Sequence, residues 1–432
     1  MLTLKRTDID RWIRPVHAHL SRLLTEQLTH WRKRSAALSE SDMTAFAGML
    51  LCDAVREGAS DIHLEPDTEG TRVRLRVDGV LRDATLLPRE EGIRLIRHFK
   101  TVADLDPIPS FRPQDARWSA DVDGQKIDLR LAVVPCIHGE KLTLRILDPR
   151  RIKRRLGDLG LSDEAENSIR SWLNPMSGMF LVCGPTGSGK TTTLYALLHE
   201  LKLAEKSVIT IEDPVEYAIE GITQVQVNPR RGLGFTEGLK ASLRLDPDYL
   251  LLGEIRGPEA ARVALEAAIS GRGLMSTLHA RDCVSVVTAL RNWGLANHEL
   301  AASLEVVVSQ RLVRRLCPHC REQRATTDAH RTWLESLAVQ APGESSYPQG
   351  CTECNELGYR DRVGVFETWR LDETDVDLIV GGADEHTIRD KLAKRSHALL
   401  LQDALAKVES GTTSLDEVSK LPGLAVQMRL TQ

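Results

Sequence analysis

Along the first part of the chain the apolar positions Leu20, Leu23, Leu24, Leu28 and Trp31 recur at the spacing of one helix face, which predicts a helical segment over residues 1–45. Packing on the chain's own body is the expected use of that stripe; docking to another protein is the sharper alternative. From 46 to 148 the period drops to two. Arg72-Val73-Arg74-Leu75-Arg76-Val77 alternates and then meets Asp78-Gly79, and Asp123-Gly124 repeats the device before the run from Lys126 to Val133. Alternation broken by Asp-Gly is a hairpin signal, so this stretch reads as an α+β domain with antiparallel pairing.

Pro149 and the basic run Arg150 to Arg155 fall in an exposed linker over 149–158. From 159 to 316 short apolar runs alternate with helical patterns, the signature of a largely parallel sheet with crossover helices. A cysteine-bearing element is expected over 317–362, and residues 363–432 read as mostly helical. No internal repeat or low-complexity tract interrupts this order.

The chain of 432 residues is long enough for two or three domains, and 42% apolar with 27% charged residues is ordinary globular composition. A net charge of −4 supplies no global field towards nucleic acid or anionic lipid, so no nucleic acid is expected as a partner. The charged stretch Met1 to Asp10 lacks the apolar core of an export signal. No apolar run approaches the roughly 20 residues that span a bilayer. Of the eight cysteines, Cys52, Cys136, Cys183 and Cys283 sit in apolar neighbourhoods and read as small core residues in a reducing compartment.

The chemistry begins at Gly184-Pro185-Thr186-Gly187-Ser188-Gly189-Lys190-Thr191, which fits G-x-x-x-x-G-K-[ST] in full. It follows the buried run Met179 to Cys183 and precedes a helix that starts near Thr192 and carries Leu194, Leu197, Leu198 and Leu201 on one face. Glycines let successive backbone N–H groups turn inward around phosphates, and the helix N-terminus adds partial positive charge. Lys190 then reaches the β- and γ-phosphates of ATP, and Thr191 holds Mg²⁺ through its hydroxyl.

Two further buried runs end in acids: Val208 to Ile211 runs into Glu212-Asp213-Pro214, and Tyr249 to Leu252 into Gly253-Glu254. In parallel α/β sheets the ligand sits at the carboxyl ends of the strands, so both acids face the phosphates. Hydrolysis needs one acid on Mg²⁺ and one orienting water. His279, in Ser276-Thr277-Leu278-His279-Ala280, carries no assignment on its own.

Cys317-Pro318-His319-Cys320 and Cys351-Thr352-Glu353-Cys354 form two knuckles, each able to give two thiolates to a tetrahedral Zn²⁺. Their separation exceeds the usual spacing, but loop closure costs grow only logarithmically. Redox or unliganded cysteines are the alternative reading. Four protein ligands would leave no open position, so the metal is expected to be structural.

Taken as a set, these motifs resemble the secretion ATPase superfamily, in its type II secretion and type IV pilus assembly branch. The resemblance covers residues 46 to 420. It rests on Ala59-Ser60-Asp61-Ile62-His63-Leu64-Glu65-Pro66, the phosphate loop, an aspartate box from Ile211 to Tyr217, a Walker B region from Leu252 to Glu259, a histidine box around His279, and the tetracysteine element. It implies a RecA-like P-loop NTPase core with a preceding α+β, PAS-like domain and a zinc-binding tetracysteine element. Glu212 is then implied to orient or deprotonate the attacking water, Glu254 to act at Mg²⁺, and His279 to sense the γ-phosphate region. Arg117 and Arg130 of the α+β domain are implied to reach over the nucleotide; without the resemblance both read as exposed strand residues.

The resemblance further implies a cytoplasmic ATP hydrolase, a homo-hexamer at the inner face of the cytoplasmic membrane, working with an inner-membrane platform protein and a docking protein. The sequence departs from the pattern at two points. The family carries two arginines before its D-P-D motif; here Arg244 is one, and Lys240 stands for the other. Gly257 replaces the aspartate that closes the Walker B segment. Those departures motivate a second reading, a nucleotide-dependent regulatory or scaffold subunit with little turnover. A retraction motor or DNA-transfer ATPase of the same superfamily is a third, against which the tetracysteine element argues.

Overall fold

The computed structural model describes residues 39–148, 153–173, 177–201, 203–394 and 399–421. The predicted stripe from Leu20 to Trp31 and the first part of the basic run lie outside them. The described chain forms two compact units, one of residues 39–148 with 350–357 and one of residues 153–349 with 358–421.

The first unit opens with helix α1 (Glu40–Arg56), which runs through the boundary expected at residue 45. Ser39 starts it with a capping box: Asp42 N–H donates to Ser39 Oγ at 3.1 Å, and Ser39 N–H to Asp42 Oδ2 at 3.0 Å. Six strands follow, β1 (Ala59–Pro66), β2 (Thr71–Val77), β3 (Val80–Leu87), β4 (Gln114–Val122), β5 (Gln125–Cys136) and β6 (Gly139–Leu147), with helix α2 (Arg89–Val102) between β3 and β4. They pair antiparallel in the order β3-β2-β1-β6-β5-β4. Both predicted hairpins form. Val77 pairs with Val80 and Val122 with Gln125, and each two-residue turn has left-handed backbone (φ +49° and +83° at Asp78-Gly79, +53° and +76° at Asp123-Gly124).

Period-two alternation sends Ile62, Leu64, Val73, Leu75, Leu129, Leu131, Leu142 and Leu144 to one face, where they pack with Phe46, Leu50, Leu95 and Phe99 of the two helices. Polar residues occupy the other face. Cys136 corrects the sequence expectation: it is exposed at the β5–β6 turn, among apolar neighbours Val134 and Ile137 that are exposed as well. An apolar neighbourhood at a hairpin tip has no second layer to bury it.

The second unit starts with helix α3 (Asp163–Trp172) and strand β7 (Gly178–Cys183), followed by the long helix α4 (Lys190–Glu200). Strands β8 (Val208–Glu212), β9 (Thr223–Gln226), β10 (Tyr249–Leu252), β11 (Gly273–Leu278) and β12 (Leu304–Leu316) complete the sheet, with helices α5 (Phe235–Ser242), α6 (Pro258–Ile269) and α7 (Cys283–Asn292) in the connections. A short hairpin, β13 (Glu322–Ala325) with β14 (Glu344–Tyr347), precedes the last strand, β15 (Tyr359–Arg370).

The order is β15-β12-β7-β11-β10-β8-β9, parallel throughout except for β15, which runs antiparallel to β12. All residues of β7, β8, β10 and β11 are buried. Met179, Leu181 and Cys183 join the apolar cluster on one face, Phe180 and Val182 that on the other, as a sheet covered on both sides requires. That is the RecA-like core the motifs implied. Beyond β15 the described chain is helical.

Candidate functional site

Because β7, β8, β10 and β11 are mutually parallel, their carboxyl ends share one edge, and the phosphate loop, Glu212, Glu254 and His279 each follow or close such an end; Arg244 does not, lying between α5 and the start of β10. After β7 the chain enters the phosphate loop. Gly184 has φ +146°, and a Cβ there would meet Gln310 O at 2.5 Å; Gly189, the N-cap of α4, has φ +89° and would meet Gln310 Nε2 at 2.8 Å. Only glycine fits either position. Lys190 is the first residue of α4, so its main-chain N–H and those of Thr191 and Thr192 are among the amides a helix leaves unbonded. The Lys190 ammonium donates to Gly184 O at 2.9 Å and Pro185 O at 3.1 Å, which holds it over the loop, and burial lowers its pKa.

Pro185, Thr186 and Gly187 are exposed at the rim, and Thr191 is exposed one residue into the helix. Ser188 Oγ is buried without a hydrogen-bond partner among the described residues. The unbonded amides at the start of α4, one ammonium and one unsatisfied hydroxyl fit an anion of phosphate size.

The two acids differ. Glu254 follows β10, with its side chain 20% exposed. Its Oε1 accepts from Arg256 Nε at 2.5 Å, and its Oε2 lies 3.6 Å from His279 Nε2. Thr277 Oγ1 donates to Gly253 O at 2.8 Å and Ile255 N–H to Thr277 O at 2.9 Å, which locks the Walker B turn to the histidine strand.

Glu212, at the end of β8, is only 3% exposed. Thr210 Oγ1 donates to its Oε1 at 2.5 Å, Gln224 Nε2 to the same oxygen at 3.2 Å, and the Tyr195 hydroxyl to Oε2. A carboxylate offers about four lone-pair sites, so these three donors leave one, on Oε2.

Arg244 is exposed beyond α5. Lys240 is exposed too and donates to Glu259 Oε1 at 3.1 Å. Gly257 is the N-cap of α6, with extended backbone (φ 179°) and open space where a Cβ would stand. The missing aspartate therefore removes a side-chain cap rather than a required fold. Arg117 and Arg130 belong to the first unit, where register sets them directly opposite each other across β4 and β5. Arg145 continues the row on β6, with its Nε donating to Asp61 Oδ1 at 3.0 Å. Sequence reasoning passed over Arg145, although Leu142, Leu144 and Ile146 point inward and fix it on the same face.

The sulfurs of Cys317, Cys320, Cys351 and Cys354 lie within 4.8 Å of one another, and Cys351 Sγ is 3.7 Å from Cys354 Sγ. Tetrahedral Zn²⁺ with Zn–S bonds of about 2.3 Å needs sulfurs about 3.8 Å apart. Cys351 N–H donates to Cys354 Sγ at 3.2 Å, the outer-layer bond that steadies a thiolate ligand. The thiolate set fits zinc.

Behind the loop stands a group the sequence did not reveal. In β12, Gln310 Oε1 accepts from Thr193 Oγ1 at 2.7 Å. Its neighbour Arg311, 5% exposed, donates to Gln310 O at 2.9 Å and Arg281 O at 2.7 Å. Asp282 caps α7 and holds Arg389 at 2.9 Å, both buried. Three polar residues, Ser309, Gln310 and Arg311, inside the apolar run Val306 to Val313 were the available signal. The same β12 runs on from Gln310 to Leu316, one residue before Cys317, with a single shift of register against β15 between Arg314 and Leu316.

Glu367 of β15 lies in that buried group, and burial, reinforced by the charge of Asp282, raises its carboxyl from 4.5 to about 7. The folded chain then keeps a proton that the unfolded chain releases. This contribution to stability is complete below about pH 4.5 and is lost as pH rises to about 7. Glu367→Gln should flatten the loss, leaving the variant more stable than the parent at pH 8 by about 1–3 kcal/mol. Urea melts at pH 5 and pH 8 measure the difference; an unchanged pH dependence in the variant would count against it.

A RecA-like sheet with a complete phosphate loop and two acids at adjacent strand ends defines an ATP hydrolase of the P-loop class. The family described as Type II/IV secretion system protein matches residues 38–420, and the chain belongs to that family. Among curated relatives, the type II secretion system ATPase E of Vibrio cholerae is 38% identical over 92% of this chain and 79% of its own length. The type II secretion system protein E of Pseudomonas aeruginosa is 38% identical over 86% and 74%. Two solved structures share the fold. The ATPase DotB of Legionella pneumophila has a TM-score of 0.65 at 22% identity, covering 87% of this chain and 94% of its own. The pilus retraction motor PilT with bound ADP has 0.58 at 22%, covering 87% and 96%. No helix among the described residues is long and apolar enough to cross a membrane.

Proposed function

We propose that this chain is the motor subunit of a type II secretion machine, hydrolysing ATP to drive pseudopilus assembly through an inner-membrane platform protein. The complete phosphate loop with Lys190 held over it, and the Glu254–His279 pair following the ends of β10 and β11, is the observation that carries the reading. Family membership and the names of the curated relatives favour secretion over pilus extension. A homo-hexamer acting at the cytoplasmic face of the membrane, held there by partner proteins, accords with that family.

In this reading the loop amides and Lys190 bind the triphosphate, and the ammonium neutralises charge that builds on the transferred phosphoryl group. Thr191 and Glu254 would hold Mg²⁺, which supplies charge neutralisation between the β- and γ-phosphates. Glu212 orients the attacking water through the lone pair its three donors leave on Oε2. His279, 3.6 Å from Glu254, senses the γ-phosphate region in this reading.

Phosphate release by the purified chain tests this. Glu212→Gln should cut kcat by about 10²–10³-fold with ATP affinity retained. Tight ATP binding with no turnover in the unmutated protein, even with the platform protein added, would instead make it a nucleotide-gated scaffold.

A further inference from the structure

Helix α4 carries two functions on one rigid rod. Its first residue, Lys190, sits over the phosphate loop, and its sixth, Tyr195, is fully buried against the acid that ends β8. The Tyr195 hydroxyl donates to Glu212 Oε2. It also accepts from Glu216 N–H at 3.2 Å, so the same oxygen ties the aspartate box to the helix. Gln224 Nε2 reaches the Tyr195 hydroxyl at 3.5 Å as well as Glu212 Oε1 at 3.2 Å, which closes a small ring of bonds around the carboxylate. The Tyr217 ring backs that of Tyr195 with centroids 4.8 Å apart.

We propose that Tyr195 is the positioning residue for Glu212, fixing which lone pair of Oε2 is left for water and setting its distance from the phosphates through α4. The inference rests on the reading that Glu212 acts on the attacking water. Two residues five apart on a helix are separated by a fixed rise of about 7.5 Å. Gripping the triphosphate with Lys190 therefore places the acid as well, without a separate adjustment of the aspartate box. Catalysis of this type tolerates little misplacement of the group that orients the nucleophile.

Tyr195→Phe keeps the ring and its contact with Tyr217 while removing the hydroxyl. The expected result is a fall in kcat of about ten- to a hundredfold, the worth of one charge-assisted hydrogen bond, with KM and ATP affinity within about twofold of the parent. Added to Glu212→Gln, the same change should cost nothing further, because its effect passes through the carboxylate. Losses that multiply in the double variant, an unchanged kcat, or a rise in KM matching the fall in kcat would each overturn the proposal. If Glu212→Gln alone kept full turnover, the reading beneath it would fall too. Glu212→Gln inactive beside a fully active Tyr195→Phe would sink the positioning role alone.

Should Tyr195→Phe lose its cooperative thermal melt, Gln224→Leu removes a half-buried donor to the other oxygen. A several-fold loss of kcat that vanishes in the Glu212→Gln background is expected there. A loss that persists in that background refutes the ring of bonds.

Discussion

Lys190→Ala should lower ATP turnover by about 10³-fold or more and weaken ATP binding, with the thermal melt of the chain almost unchanged. The loop's backbone conformation comes from Gly184 and Gly189 packed against Gln310, and none of that depends on the lysine side chain. What is lost is the one ammonium held over the loop by Gly184 O and Pro185 O. Its lowered pKa gives the direction of a second effect: burial disfavours its charge, so a phosphate binding there favours the charged form again. Phosphate release under saturating ATP and titration of a fluorescent nucleotide measure the two losses. Turnover within tenfold of the parent would remove the loop from the chemistry.

Chelation of the tetracysteine element should have the largest effect on stability. Structural zinc bound by four thiolates is worth about 10–16 kcal/mol in small metal-dependent folds, and part of that free energy is folding free energy. The purified chain is expected to carry about one zinc per molecule. Cys354→Ser, which removes a buried ligand, should abolish the zinc and bring early, irreversible unfolding on heating. Emission spectroscopy on the dialysed protein gives the metal content, and a melt with and without chelator gives the stability. Metal-free protein with an unaltered melt would leave the four sulfurs as an unliganded cluster.

Legibility followed the length scale of each interaction. The phosphate loop was readable because its residues are contiguous and the flanking strand and helix announce themselves by burial pattern. Both hairpins were readable because Asp-Gly turns dictate their own backbone. The acids were readable as strand ends, but not their surroundings. Thr210 shares the strand of Glu212 at a spacing of two, but the acid's other donors, Tyr195 and Gln224, come from two other elements that no periodicity links to it. Arg389 meets Asp282 across 107 residues. Cys136 misled because apolar neighbours signal a core only where a second layer covers them, and a hairpin tip has none. The row of Arg117, Arg130 and Arg145 needed strand register, which alternation alone does not supply.

Strand β12 braces the phosphate loop with Gln310 and reaches Leu316 just short of the first cysteine knuckle. From Gln310 to Arg314 each residue of β12 pairs in step with β15, so adding or deleting one residue there would send every later side chain to the opposite face; the step between Arg314 and Leu316 is where the register already shifts. Over this stretch the chain's length is constrained more tightly than its spelling. Relatives should exchange Leu312 or Val313 for other apolar residues far more readily than they gain or lose a single position there.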